Sequence, residues 1–187
     1  MNLPNALTAG RIFLVPLLVV VLLTKFEGRL IFGVQKELVG AAIFGVAALT
    51  DLLDGYLARR RKQITPLGQV IDPLADKLLT SAALISLVQL DLGQSWMVAV
   101  IIGREVAVTT LRSLAYARGV AMPASSLGKI KMVAQVVAIL ALILAHGQYW
   151  PFYWIGQGAL WVVVVTALVS GADYFRRFND VYLRNAM

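Results

Sequence analysis

The chain of 187 residues is strongly apolar and carries a net charge of +7. Hydrophobic residues make up 59% of it, charged residues only 14%, and the mean hydropathy is +0.78. Soluble domains are about half apolar, and one soluble domain of this length cannot bury so much apolar surface. A soluble fold is therefore excluded. The lack of cysteine and the single histidine exclude disulfides and iron–sulfur clusters and nearly exclude zinc sites.

The distribution of apolar residues predicts an all-α integral membrane protein. Six apolar stretches occupy residues 12–24, 38–58, 66–90, 96–117, 126–145 and 152–172. Most approach the roughly 20 residues that a helix needs to cross hydrocarbon, and helices satisfy every backbone hydrogen bond within the segment. Residues 2–11 mix polar and apolar side chains, which predicts a short N-terminal interfacial helix before the first span. We expect a single membrane domain over residues 1–187.

Lysine and arginine collect on one side of these six predicted spans. That side carries both termini, the basic run of residues 59–62, and Arg112, Lys129 and Arg176, whereas the other side carries only Lys25, Arg29 and Lys36. Because the cytoplasmic side retains such residues, both termini are predicted to be cytoplasmic. The positive charge then reflects topology and attraction to anionic lipid, and no nucleic-acid partner is expected.

Four aspartates lie within otherwise apolar sequence, where carboxylates are costly and usually functional. They are Asp51, Asp54, Asp72 and Asp76. At helical spacing, the first two share a face of the second stretch and the last two share a face of the third. The basic turn between the stretches is short, so the two helices are predicted to be antiparallel neighbours. The four carboxylates then converge near the cytoplasmic surface.

Such a cluster requires a cation, because like charges in a low dielectric would otherwise drive protons back onto the carboxylates. Oxygen ligands favour Mg²⁺, Mn²⁺ or Ca²⁺, and four aspartates suffice for two ions. Buried ion pairs, such as Asp76 with Lys77, are the structural alternative, which four facing carboxylates disfavour. A cation or proton transport pathway is the alternative from a different functional class. Neighbouring glycines and arginines favour a phosphate ligand over a bare ion.

The spacing of these residues resembles a known signature. The sequence reads Asp51-x-x-Asp54-Gly55-x-x-Ala58-Arg59, then eight residues, then Gly68-x-x-x-Asp72-x-x-x-Asp76. It resembles the signature of the CDP-alcohol phosphotransferase family at every defined position. The resemblance implies a metal-dependent transferase with six transmembrane helices and a short N-terminal interfacial helix, usually a homodimer.

The same resemblance implies roles for individual residues. Asp51, Asp54 and Asp72 would bind two Mg²⁺ or Mn²⁺ ions, and Asp76 would be a further ligand and the general base. The residues implied to bind the CDP-lipid are Gly55, Ala58, Arg59, Thr65 and Gly68 of the motif region, with Asn5 and Thr8 near the N-terminus. For Asn5-x-x-Thr8-x-x-Arg11, anchoring in the membrane interface remains an equal alternative.

Cations in the second half of the chain predict an acceptor that carries phosphate. Arg112 and Lys129 are difficult to neutralise from the protein, whereas Arg104 has Glu105 beside it. We therefore assign Arg104, Arg112 and Lys129 to the acceptor phosphate. For Lys131, a position at the membrane interface among lipid headgroups is the alternative. Glycerol 3-phosphate fits this pocket, while inositol phosphate and phosphatidylglycerol remain alternative acceptors.

This region is also similar to the bacterial phosphatidylglycerophosphate synthase group of the family. The segments that carry the similarity are Gly103-Arg104-Glu105 with Arg112, Leu127-Gly128-Lys129-Ile130-Lys131, and the opening Asn2-Leu3-Pro4-Asn5. It implies transfer of the phosphatidyl group of CDP-diacylglycerol to glycerol 3-phosphate, giving phosphatidylglycerophosphate and CMP. The implied location is the bacterial cytoplasmic membrane, with the active site facing the cytoplasm.

Overall fold

The computed structural model describes residues 3–25, 30–31, 33–61, 66–117, 126–147 and 149–184. Within these ranges, only the backbone is described for residues 3–9, 30, 51–61, 66–73, 117, 126–127 and 180–184. The predicted metal ligands Asp51, Asp54 and Asp72 therefore have a described helix position and no described side chain.

The described residues form six helices and one short hairpin. In chain order they are α1 (Leu3–Leu23), β1 (Leu30–Ile31), β2 (Val34–Gln35), α2 (Lys36–Arg61), α3 (Pro66–Gln89), α4 (Ser95–Ala117), α5 (Ser126–Ala145) and α6 (Pro151–Arg184). All six predicted stretches are helical, which confirms the predominantly helical fold. The two-residue strands pair antiparallel, with Gly33 at a positive φ of 79° in the turn, and are too short to produce an alternating pattern in the sequence.

The N-terminal segment differs from the prediction of a separate interfacial helix. Residues 3–23 form the single helix α1, which continues through Gly10, Arg11 and Pro16. The prediction of a separate helix is wrong because polar residues lower helix propensity only slightly, and even one glycine costs a helix only about 1 kcal/mol. At Pro16, the helix loses one backbone hydrogen bond and has to accommodate the ring, at a cost of about 3 kcal/mol, and it still continues to Leu23.

The last helix extends 12 residues beyond the predicted boundary at residue 172, to Arg184. The prediction ended where the apolar sequence ends, and helix formation does not end there. Asp173 and Arg177, four residues apart, form an ion pair on this extension with an N–O distance of 3.1 Å. Pairs at this spacing stabilise an exposed helix by roughly 0.2–0.5 kcal/mol.

Two described helices are long and apolar enough to cross a bilayer, over Gly128–Ala145 in α5 and Pro151–Asn179 in α6. A shorter apolar segment, Gly10–Leu23, lies in α1. Charged residues such as Asp76, Lys77 and Arg104 interrupt the apolar sequence of α3 and α4. The apolar helices indicate a membrane protein, and the arrangement of six spans remains a prediction.

The core lies where the helices pack in pairs. Helix α5 packs along α6 and against α2, helix α1 packs against α2 and α3, and α4 packs against α6. The fully buried side chains of the core include Leu18, Phe44, Leu79, Leu87, Met97, Ile101, Ile139, Leu142, Ile143 and Leu160. This packing brings α2, α3, α4 and α5 around one cavity.

The contact between α5 and α6 requires a residue without a side chain at Gly156. A Cβ atom there would lie 2.6 Å from Cγ of Leu142 and 3.2 Å from its backbone nitrogen. We expect Gly156→Ala to destabilise the protein by about 1–3 kcal/mol, because the backbone of α5 has to shift. Thermal unfolding in detergent micelles measures this loss.

Gly158→Ala, two residues further along α6, is the matched control, since a Cβ atom there meets nothing within 4 Å. It is expected to leave the unfolding temperature unchanged or slightly raised, as alanine favours a helix over glycine by about 1 kcal/mol. Equal unfolding temperatures for the two variants would contradict the close contact.

Candidate active site

A cavity of about 190 Å³ lies between α2, α3, α4 and α5. Its lining includes three charged side chains from three different helices, Asp76, Glu105 and Lys131. The remaining lining residues are Phe44, Ala48, Leu79, Thr80, Met132, Val133, Gln135, Val136 and Val137. Charged groups therefore share a mostly apolar space, where electrostatic interactions are stronger than in water.

Asp76 enters this cavity from the first half of α3 and is half-buried. The helix begins at Pro66, a residue that suits the first helical position because its missing N–H would have no partner there. The hydroxyl of Thr80 donates to the carbonyl oxygen of Asp76 at 3.0 Å, one turn later. Asp72 lies four residues before Asp76, so the two belong to the same face of the helix.

The helix positions of the other aspartates fit a divalent-metal site. Asp51 and Asp54 lie three residues apart in α2, which contacts α3. Their donor atoms are carboxylate oxygens, as Mg²⁺ and Mn²⁺ prefer. Among the side chains that the structure describes, no group of three or more His, Cys, Asp or Glu residues is close enough to hold a metal ion. The four-aspartate site therefore remains a prediction.

Glu105 and Lys131 form an ion pair between α4 and α5, joining Oε1 of the glutamate to Nζ of the lysine. Lys131 is buried, with 4% of its surface exposed. The second carboxylate oxygen of Glu105 lies 3.9 Å from Nη1 of Arg104. Because burying a charge is costly without a partner, this pairing accounts for a lysine within the helix bundle.

Arg104 is held mainly by α6. Its Nη2 donates to the hydroxyl of Ser170 at 2.8 Å, and its guanidinium carbon lies 5.8 Å from the ring centre of Tyr174. The Nε atom of Arg104 is buried without a hydrogen-bond partner. A buried donor without an acceptor costs about 1–3 kcal/mol, and a phosphate oxygen is an acceptor that could satisfy it.

The carboxylate and the cations form one electrostatic cluster. Lys131 lies within electrostatic range of Asp76, Arg104 and Lys77, and Lys77 lies within range of Arg112. The ammonium group of Lys77 also donates to the hydroxyl of Thr109 on α4. Lys131 thus shares the cavity with Asp76, and Arg104, Lys77 and Arg112 add positive charge nearby, an arrangement suited to binding an anion beside a proton acceptor.

The three predicted acceptor residues lie in different surroundings. Arg104 is mostly buried beside the cavity, with 12% of its side chain exposed. Arg112, eight residues later on α4, is exposed and lies near Lys77. Lys129 is exposed and lines a separate shallow groove between α5 and α6. The structure brings Lys131, rather than Lys129, into the cavity with Asp76. The role predicted for Lys129 remains a prediction.

The alternative of an interfacial position for Lys131 is wrong, because the residue is buried and paired with Glu105. The sequence contains a signal that identifies its position. Lys131, Gln135, Ala138 and Leu142 recur at the spacing of one helix face, and all four are buried. Lys129 is two residues, or about 200°, away from Lys131 around the helix, which explains its exposure.

The predicted CDP-lipid residues fall outside the described side chains. Asn5, Thr8, Gly55, Ala58, Arg59 and Gly68 have helical backbone, and Thr65 lies outside the described residues altogether. Arg11, which completes the N-terminal polar face, is buried with 2% exposed. That burial favours an inward contact for Arg11 over anchoring among lipid headgroups.

Comparison with known proteins identifies the family of the chain. Residues 1–169 match the CDP-alcohol phosphatidyltransferase family. The chain belongs to that family. It is therefore a transferase, and the matched residues include the motif from Asp51 to Asp76.

Individual relatives of this phosphatidyltransferase are similar over nearly its whole length. A Bacillus subtilis (strain 168) protein named CDP-diacylglycerol–glycerol-3-phosphate 3-phosphatidyltransferase is 46% identical, over 94% of both chains. A Rickettsia typhi protein of the same name is 33% identical, over 94% of this chain and 96% of the relative. A Mycobacterium tuberculosis (strain H37Rv) protein named probable phosphatidylglycerophosphate synthase is 37% identical, over 94% and 81% respectively.

Proposed function

We propose that the protein transfers the phosphatidyl group of CDP-diacylglycerol to glycerol 3-phosphate, producing phosphatidylglycerophosphate and CMP. The observation that carries the proposal is that Asp76, a candidate base, shares one cavity with the buried cation Lys131. The names of the relatives support the same donor and acceptor. An acceptor that presents both a hydroxyl and a phosphate matches this cavity, because Asp76 can accept the proton of the hydroxyl and Lys131 can bind the phosphate.

In this proposal, Asp76 accepts the proton of the acceptor hydroxyl. The hydroxyl oxygen then forms a bond to the phosphorus of the CDP-lipid, and the bond from that phosphorus to the CMP oxygen breaks. A positioned carboxylate contributes to such a step when it lies within hydrogen-bond reach of the proton. The half-buried position of Asp76 limits competition from water.

The cations bind and orient the phosphate of the acceptor. Lys131 contributes a compact ammonium charge, and Arg104 contributes the buried Nε donor. Arg112 joins them from the exposed side, and Lys129 acts at longer range from its own groove. Charge-assisted hydrogen bonds of this kind are roughly twice as strong as neutral ones. Fixing the phosphate places the hydroxyl for attack.

Two Mg²⁺ or Mn²⁺ ions are part of the proposal, with Asp51, Asp54, Asp72 and Asp76 as their ligands. When bound, such ions neutralise charge on the diphosphate of the donor. The CDP-lipid would lie against the glycines and Arg59 of the motif, where small residues permit close approach to the backbone.

The proposed membrane arrangement has six spans, both termini and the active site at the cytoplasmic face of a bacterial membrane, and a homodimeric assembly. Aromatic residues support the opposite face as an interface, since such rings collect at membrane surfaces. Tyr149, Trp150 and Trp154 are exposed around the start of α6, and Trp96 is exposed at the start of α4. In the proposed topology these positions lie on the side away from the cationic cluster.

Release of CMP by purified protein tests the proposal. With CDP-diacylglycerol, Mg²⁺ and glycerol 3-phosphate, we expect turnover to phosphatidylglycerophosphate. EDTA is expected to abolish CMP release, and excess Mg²⁺ or Mn²⁺ to restore it, because the carboxylates need compensating charge.

The same assay with a panel of acceptors tests the identity of the acceptor separately from the transfer reaction. Turnover with inositol phosphate or phosphatidylglycerol, and none with glycerol 3-phosphate, would overturn the proposed acceptor and retain the family reaction. A cation flux into liposomes without CMP release from any acceptor would contradict the transferase function and support the transport alternative.

A further inference from the structure

Glu105 is a charged residue of the cavity to which the proposed reaction assigns no role. It extends from α4, and 21% of its side chain is exposed. One carboxylate oxygen pairs with the ammonium group of Lys131, and the other lies 3.9 Å from Nη1 of Arg104. A single carboxylate therefore lies between two cations that would bind the acceptor phosphate.

The two cations depend on Glu105 to different degrees. Arg104 has independent contacts on α6, a 2.8 Å hydrogen bond to Ser170 and the ring of Tyr174. For Lys131, Glu105 is the ion-pair partner within the described part of the chain. The ammonium group of a lysine is carried on a flexible four-carbon chain, so its location depends on the partner that holds it.

Asp76 is the second carboxylate of the cavity, and it competes with Glu105 for the ammonium group of Lys131. It lines the same cavity as Lys131, and the two charges are within electrostatic range. Removing one partner of a buried pair leaves an uncompensated charge, which is strongly unfavourable. Without Glu105, Lys131 would therefore turn towards Asp76 and occupy an oxygen that has to accept the proton of the acceptor hydroxyl.

We propose that Glu105 is a positioning residue of the acceptor site. It holds the ammonium group of Lys131 where it can meet the acceptor phosphate, and it keeps that group off the carboxylate of Asp76. The inference rests on the proposed function, because it takes Asp76 as the base and Lys131 as a phosphate ligand.

A double-mutant cycle tests this role through kcat and the two KM values. Glu105→Gln is expected to lower kcat about tenfold, within the range of coupled residues, and to raise KM for glycerol 3-phosphate. KM for CDP-diacylglycerol is expected to stay unchanged. In the double variant with Lys131→Met, kcat is expected to return to that of Lys131→Met alone, because no ammonium group remains to occupy Asp76.

Additive effects of the two substitutions on kcat would overturn the inference, since Glu105 would then act independently of Lys131. A lower unfolding temperature with unchanged kcat per folded molecule would show a purely structural role. Asp173→Asn is the matched control, because it removes a carboxylate from an ion pair on α6. It is expected to leave kcat and both KM values unchanged.

Glu105→Asp keeps the test decisive if Glu105→Gln does not fold. Aspartate is shorter than glutamate and retains the charge. The kcat of Glu105→Asp is therefore expected to approach the wild-type value and to exceed that of any folded Glu105 variant without a carboxylate. A Glu105→Asp variant whose kcat is as low as that of a folded Glu105 variant without a carboxylate, with unchanged KM for the acceptor, would contradict the positioning role.

Failure of the inference and failure of the proposed function have different signatures. If wild-type protein turns over only another acceptor, the proposed acceptor fails, and recovery of kcat in the double variant with that acceptor still supports the role of Glu105. If glycerol 3-phosphate is a good acceptor and the two substitutions are additive, only the inference fails.

Discussion

Replacing Asp76 with asparagine is expected to lower the kcat for CMP release by about 100- to 10,000-fold, the contribution typical of a general base. Asparagine has nearly the same shape and cannot take a proton from the acceptor hydroxyl. The residue is half-buried in the cavity with Lys131, so water has limited access to replace it. Initial rates with saturating substrates and Mg²⁺ measure the loss.

The same variant separates a base from a residue that only binds metal. If Asp76 acts as the base, the loss persists when the Mg²⁺ concentration is raised. Recovery of wild-type kcat at high Mg²⁺ would reduce Asp76 to a metal ligand and contradict its role as the base. Asp91→Asn is the control, because Asp91 is exposed in the turn after α3 at a φ of 58°, a conformation that asparagine tolerates.

Replacing Lys131 with methionine is expected to raise the KM for glycerol 3-phosphate by about 10- to 100-fold, the value of one hydrogen bond to a charged group. Methionine fills similar space and has no charge. In this variant Glu105 loses Lys131 as its ion-pair partner, but Nη1 of Arg104 lies 3.9 Å from its carboxylate and partly compensates the negative charge. The kcat and the KM for CDP-diacylglycerol are expected to change little, because the donor binds elsewhere.

Comparison with Lys129→Met decides which lysine of α5 binds the acceptor phosphate. Lys129 is exposed and lines a different groove, so a smaller rise in KM is expected for its variant. A larger effect at Lys129 than at Lys131 would contradict the assignment. Lys25→Met provides a control for loss of positive charge, because Lys25 is exposed just after α1, and it is expected to leave the acceptor KM unchanged.

Much of the fold could be predicted because helix formation depends on local sequence. Pro66 marks the start of α3, and each of the six apolar stretches coincides closely with a helix. The boundaries that failed are those where hydrophobicity and helix formation diverge. Helix α1 includes the polar residues before the first apolar stretch, and α6 continues past the last one, where Asp173 pairs with Arg177.

The four aspartates of the candidate site could also be predicted from the sequence. Its residues lie close together in the chain, so helical spacing alone assigns Asp72 and Asp76 to one face. The spacing carries the family resemblance, and the match over residues 1–169 confirms the family. Occupancy of the site by metal stays a prediction, for which EDTA treatment is the direct measurement.

The sequence by itself determined the six helices, the membrane character and the motif from Asp51 to Asp76, because each depends on composition or on spacing within one or two helices. Only the tertiary structure decided which cation faces Asp76. That choice depends on the rotation of α5 and on its distance from α4, which brings Glu105 and Lys131 together across 26 residues of chain. Local spacing indicates which face of α5 carries Lys131, but it does not indicate which side chain that face meets, because packing between helices sets the contact.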